Sequence, residues 1–291
     1  MRTAKQSQQA AKKQPQPQPQ KPQPSYVGKA VAVAASRNKG LLQQQQQQQA
    51  AVVAVGSDEG AGDGPSKDRL VSLRFHDISL LHTDVRLLQE RRGGMNERLV
   101  AFYFAYLQNR RYKAQSQVYF MQPSLARSLR QTSQRLLKRQ MRERGLHERK
   151  FILLPMCSEP GAFHVAHEHW SLLFIARPER KLYYYDSLDN SHRQLAGALH
   201  QCLSAPLALT EFSLVVGRCL QQAHNEEHQS GIHVMCMADH VADYVLRCGY
   251  ASSSLLIARD EVQGMRTAVL QLIQCMGGIL PSSRKQSSSE G

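Results

Sequence analysis

His169–Ile175 (HWSLLFI) and Lys181–Ser187 (KLYYYDS) are the two stretches that decide the fold. Both are short and rich in Leu, β-branched and aromatic residues, and the turn signal Pro178-Glu179 separates them, so they read as adjacent strands. That reading places His169 at the start of one strand and Asp186 at the end of the next, within hydrogen-bond reach. Further on, Ser230-Gly231 opens a run in which Ile232, Val234, Met235, Ala238, Val241, Ala242 and Val245 recur at helical spacing. A small nucleophile at a helix N-terminus sees the positive end of the dipole. A nucleophile, a His and an acid form a triad in which the acid orients the ring and the ring takes the nucleophile's proton. The same residue types also serve as a capping Ser, an edge His and a turn Asp, so spacing alone does not choose between the two readings.

Outward from this centre the pattern is α+β. Lys150–Pro155 (KFILLP) is a further strand, Val118–Met121 a short one, and Phe212–Val216 another. Asn96–Leu107 is apolar nearly all round and reads as a buried helix with Asn96 as N-cap. His192–Leu203 and Asp260–Met276 read as amphipathic helices. Ile78, Leu81, Val85 and Leu88 also recur at helical spacing. Ser124–Arg149 reads as one basic helical stretch, with nine Lys/Arg against two Glu between Arg127 and Lys150.

The remainder is of a different kind. In residues 1–69 Gln and Pro alternate over Gln14–Pro24, Gln43–Gln49 is an unbroken glutamine run, and SDEGAGDGPS (Ser57–Ser66) is a Gly/acid linker. We expect a disordered, basic extension over 1–69, one domain over 70–280 and a disordered tail over 281–291. The chain of 291 residues carries a net charge of +14. Six cysteines without a CxxC pair argue for free thiols rather than a disulfide scaffold or a zinc ribbon. No apolar run approaches the ~18 residues of a membrane span, and the N-terminus has no signal-peptide core. These features predict no membrane association and an intracellular protein, in nucleus or cytoplasm. His164, His167 and His169 have ligand-like spacing, as do His224, His228 and His233, but no metal and no cofactor are expected. Cys236 is expected to pack in the core.

Residues 70–280 resemble the ubiquitin-like-protein-specific cysteine proteases of the sentrin/SUMO-specific type, closest to the deneddylase (sentrin-specific protease 8-like) branch. The resemblance is carried by DISLLHTDVRLL with MNERLVAFYFAYL, by VYFMQPSLARSL, FILLP, HWSLLFI with YYYDSLDNS, and by QSGIHVMCMADHV. It implies a papain-like fold: a central mixed or antiparallel sheet with flanking helices, and a central helix that carries the nucleophile. It implies His169 as base, Asp186 as the acid that orients it, and Trp170 beside the scissile diglycine. Asn96 and Gly231 fall at the substrate tunnel. Ser230 stands where the family has Cys, and Gln229 where it has Asp. The oxyanion Gln position is held by His224, leaving Gln222 and Gln221 as candidates. Gly94 replaces a Trp that roofs the tunnel.

A thiol with a free pKa of about 8.5 is readily ionised, whereas a Ser hydroxyl needs its proton removed as it attacks. Losing an oxyanion donor costs a further ~10²–10³ in rate. The expected activity is therefore hydrolysis after the diglycine terminus of a ubiquitin-like modifier, in processing or deconjugation, impaired by Ser230. The rival readings are a pseudoprotease that binds a modifier or its conjugates without cleaving, and a basic scaffold that contacts nucleic acid or an acidic partner weakly through Arg127–Lys150.

Overall fold

The computed structural model describes residues 70–158, 168–223 and 226–281. The expected extension, the tail from residue 282, and His164, His167 and His224 lie outside the described residues. The chain opens with a hairpin, β1 (Val71–Phe75) and β2 (Ile78–Leu81), and continues directly into α1 (His82–Gln89). The helical spacing over Ile78–Leu88 is thus a partial misreading. His76 takes φ of 54°, and with Asp77 it turns the chain in two residues, so Ile78 and Leu81 lie on a strand and only Val85 and Leu88 on the helix.

Five strands form the central sheet in the order β3 (Val118–Phe120), β4 (Phe151–Cys157), β5 (Trp170–Ala176), β6 (Lys181–Tyr185) and β7 (Ser213–Val216). The inner pairs β4–β5 and β5–β6 are antiparallel and the outer pairs β3–β4 and β6–β7 parallel, so the sheet is mixed. β4 runs two residues further than its sequence suggests. Pro155 interrupts nothing because β3 ends opposite Leu153, which leaves β5 as the strand partner of β4 at that point.

Alternation along the strands builds two cores. Phe151, Leu153, Trp170, Leu172, Phe174, Tyr183 and Tyr185 face one side; Ile152, Leu154, Met156, Leu173, Ile175, Leu182 and Tyr184 face the other. On the first side pack α2 (Glu97–Tyr106), the central α6 (Ser230–Cys248) and α7 (Arg259–Cys275). On the second pack α3 (Pro123–Ser128), α4 (Gln134–Glu143) and α5 (Arg193–Leu207). The expected single basic helix over Ser124–Arg149 is therefore broken. A 3₁₀ turn (Leu129–Gln131) and extended backbone at Thr132 and Ser133 separate α3 from α4. Part of its charge is consumed internally: Arg127 pairs with Glu97 and Arg139 with Glu143. α5 continues through Pro206, whose ring has no N–H to give Cys202; the Cys202 carbonyl instead accepts from Gln134 Nε2 at 3.1 Å. Among the described residues no helix is long and apolar enough to cross a membrane.

α2 ends in one π turn, Leu107–Arg111, closed by Tyr112 N–H donating to Leu107 O. The extra residue turns both Arg111 and Tyr112 toward the fully buried Asp239 of α6. Arg111 Nε lies 2.6 Å from its Oδ1, and Tyr112 OH donates to the same oxygen at 2.7 Å. Removing one partner of such a pair strands the other charge in the core. Arg111→Ala is therefore expected to cost about 3–5 kcal/mol in urea denaturation; a loss under about 1 kcal/mol, the range of an exposed pair, would contradict this role.

Candidate active site

Asp186 leaves the end of β6 and His169 precedes β5, and antiparallel pairing of the two strands brings them together: His169 Nε2 lies 2.8 Å from Asp186 Oδ1. Both are buried. The carboxylate also accepts from Leu188 N–H (2.9 Å), Ser191 Oγ–H (3.3 Å), His192 N–H (3.2 Å) and the Tyr184 hydroxyl. Burial raises its pKa, but the His169 hydrogen bond and charge, with Tyr184 and the Leu188 amide, outweigh that and hold it below the usual carboxylate range. The carboxylate thus stays ionised and takes the His169 Nε2–H. In the neutral ring Nδ1 is then the lone-pair nitrogen; it is buried and has no hydrogen-bond partner among the described residues. The His169 backbone is pinned as well, its N–H donating to Ser158 Oγ at 3.2 Å and its carbonyl accepting from Ser158 N–H at 3.1 Å.

Ser230 begins α6, a helix of 19 residues, and is 1% exposed. Its Oγ accepts from Trp170 N–H at 3.1 Å and lies 3.5 Å from the Glu168 carbonyl. No hydrogen bond joins it to His169 among the described residues. The hydroxyl is brought to the dyad but is oriented by backbone groups rather than by the base. Trp170 is fully buried, and its Nε1 donates to Met95 O at 2.8 Å. A Cβ on Gly231 would stand 2.4 Å from Met95 Cβ and 3.3 Å from Trp170 Cδ1, so only glycine fits between them. Gly231, Trp170 and Met95 therefore form one close-packed group beside Ser230. Asn96 adjoins it, but its amide is engaged: Oδ1 caps α2 by accepting from Leu99 N–H at 3.1 Å, and Nδ2 donates to Asp84 at 2.6 Å.

The two oxyanion candidates differ. Gln221 is tied into the loop, donating to Asp186 O at 3.0 Å and accepting from Asp189 N–H at 3.2 Å. Both side-chain polar atoms of Gln222 are buried and without a partner among the described residues. Gln222 is thus the one with an uncommitted amide.

Sequence reading missed Tyr184, Ser158, Ser171 and His192. The first had a signal, since it lies two residues before Asp186 and a strand puts such residues on one side. The others converge only in three dimensions. The His192 ring lies 4.6 Å from that of His169, and its Nδ1 is 2.8 Å from Ser171 Oγ. His169, Asp186 and His192 offer ligating atoms within 4.8 Å of one another. Of the nitrogens in these rings, His169 Nε2 bonds Asp186 and His192 Nδ1 bonds Ser171. Cys236 is buried in the core beside α7.

A mixed sheet carrying a buried His–Asp pair, set against a central helix that begins at Ser230, fits the papain-like fold of the ubiquitin-like-protease type. The model of the Ulp1 protease family, C-terminal catalytic domain, matches residues 94–275, and the chain belongs to that family. Comparison with curated proteins finds no match. Among solved structures the chain is similar to SUMO protease Ulp1 with its catalytic cysteine oxidised to a sulfenic acid, at 17% identity and a TM-score of 0.55 over 74% of this chain and 97% of that one. It is also similar to the C-terminal Ulp1 protease domain in complex with Smt3, the yeast ortholog of SUMO, at 18% identity and a TM-score of 0.55 over 82% and 96%. A de-sumoylating protease matches at 14% identity and a TM-score of 0.51, over 70% and 91%. At these identities the likeness is one of fold.

Burial, and then the nearby charge of His169, lowers His233 to about 4; His192 is also lowered to about 4 by burial and His169, against the opposing pull of Asp186. Both are neutral in the native state and take up protons on unfolding, so their contribution to stability is present above about pH 6.5 and is lost toward pH 4. Asp239 and Glu168, raised by burial, act in the opposite sense. The clean quantity is therefore a difference. His233→Gln should lower the pH-dependence of unfolding between pH 6.5 and 4 by about one proton; urea titrations with unchanged slope would contradict the assignment.

Proposed function

We propose that the chain is a deneddylase-like protease that docks the diglycine terminus of a ubiquitin-like modifier, free or conjugated, and whose hydrolysis of the following bond is impaired. The observation that carries this is the state of Ser230. It occupies the nucleophile position beside an organised His169–Asp186 pair, yet its hydroxyl accepts from Trp170 N–H and has no hydrogen bond to the base. For reaction, Ser230 Oγ–H turns toward His169 Nδ1 and the oxygen attacks the carbonyl carbon of the second glycine. Nδ1 takes the proton and returns it to the leaving amine, while Asp186 stabilises the imidazolium; a water then gives its proton to Nδ1, attacks the acyl-serine and releases the modifier's carboxylate, and Nδ1 returns the proton to Ser230 Oγ. Gln222 is the side-chain donor for the oxyanion, with the α6 dipole behind it. A thiol would lose its proton to Nδ1 before attack; the hydroxyl must lose it during attack, which is the source of the impairment.

The Smt3 complex of the Ulp1 domain supports a modifier as partner. The deneddylase assignment rests on the sequence resemblance. If the hydroxyl never engages Nδ1, the same surfaces make a pseudoprotease, and the unmade Ser230–His169 bond is what favours that second reading.

The test uses the full chain and its Ser230→Cys variant with fluorogenic C-terminal derivatives of the neddylation modifier, SUMO and ubiquitin. The natural protein should bind the neddylation modifier and release little fluorophore. The variant should release it ~10²–10⁴-fold faster, the range that matched proton transfer contributes. Equal rates would overturn the impairment. Absence of both binding and turnover in both proteins would overturn the modifier reading.

A further inference from the structure

A cavity of about 300 Å³ lies on the sheet face opposite α6, between α3, the end of β4 and the first turns of α5. This is the lower end of the size range of small-ligand sites, roughly 300–1,000 Å³. Its lining is mixed. Met156 and Leu199 give it a buried apolar floor, and Arg127 and Arg130 stand on the α3 side. Among the described residues no acidic side chain lines it. Ser191 and His192 bring the N-terminal end of the 15-residue α5 to its wall, which adds the positive end of a helix dipole. The two arginines are not equivalent. Arg127 is held by Glu97 at 2.8 Å and lies 3.8 Å from Glu168. Arg130 has no acidic partner among the described residues.

We propose that this cavity is a binding site for a small organic carboxylate, its apolar stem on Met156 and Leu199 and its head on Arg130. A guanidinium pairs two N–H groups with a carboxylate, and an apolar floor rewards a ligand that has more than a charge to bury. Inorganic phosphate would leave that floor uncovered. The site is distinct from the one that takes the diglycine, because α6 and Ser230 lie across the sheet. It is nevertheless coupled to His169. Ser158 lines the cavity and holds the His169 backbone at both its N–H and its carbonyl, and the His192 ring packs on the His169 ring. An occupant therefore touches two residues that fix the base. Binding does not depend on turnover, so it stands or falls independently of the proposed hydrolysis.

The test is an amide NMR titration of the full chain with sodium benzoate, benzyl alcohol and inorganic phosphate. Benzoate is expected to give saturable shifts at Arg130, Met156–Ser158 and Ser191–Leu199, with a smaller shift at His169. Benzyl alcohol and phosphate should bind at least about tenfold more weakly, as should benzoate to Arg130→Gln, one charge-assisted contact being worth about that factor. Arg130 is exposed, so that variant should fold as the natural protein does, which its thermal midpoint checks. Absence of saturable shifts at tens of millimolar benzoate would overturn the site. So would equal binding of benzyl alcohol, which marks a purely apolar cavity, equal binding of phosphate, which marks a plain anion site, or an unchanged Arg130→Gln affinity.

Discussion

The carboxylate of Asp186 is the point on which this end of the molecule is organised. It collects five donors from four parts of the chain: His169 before β5, Tyr184 within β6, Leu188 in the loop that follows, and Ser191 and His192 at the head of α5. A carboxylate so surrounded keeps its charge despite burial, because each bond favours the ionised form. That charge fixes which nitrogen of a neutral His169 carries the proton, and it leaves Nδ1 without a partner among the described residues. The same bonds set the start of α5, so the acid is a fold residue and a site residue at once.

On the other side of the sheet the constraint is steric. Gly231, Trp170 and Met95 close against one another with no room for a side chain on the glycine. This packing seats the first turn of α6, and it brings Trp170 N–H to Ser230 Oγ. A hydroxyl is small and a good acceptor, so it settles on that amide. The His169–Asp186 pair is organised, and the residue that α6 presents at its head carries a hydroxyl, which gives up its proton far less readily than a thiol.

The sheet was legible in the sequence because β4, β5 and β6 are short apolar runs divided by turn residues. His169 and Asp186 were legible because they flank two of those runs. Asn96 was legible as a cap, and it does cap α2. Other elements misled. Ile78 and Leu81 match a helical period by coincidence, since the turn at His76–Asp77 has no glycine to announce it. The Arg127–Lys150 stretch has helical composition throughout, and its break at Thr132–Ser133 follows from packing on β4 and α5. Tyr184, Ser158 and His192 are ordinary polar residues until the sheet gathers them around the dyad. Which of Gln221 and Gln222 has a free amide depends on the loop path, which no spacing shows.

The measurement closest to the central claim is the ¹⁵N NMR of the His169 imidazole in the natural protein and in Ser230→Cys. In the natural protein the proton of the neutral ring should sit on Nε2, held by Asp186, with Nδ1 bare and insensitive to Ser230→Ala. In the cysteine variant Nδ1 should gain the thiol proton. A neutral ring protonated on Nδ1, or an Nδ1 signal that moves when the Ser230 hydroxyl is removed, would contradict it.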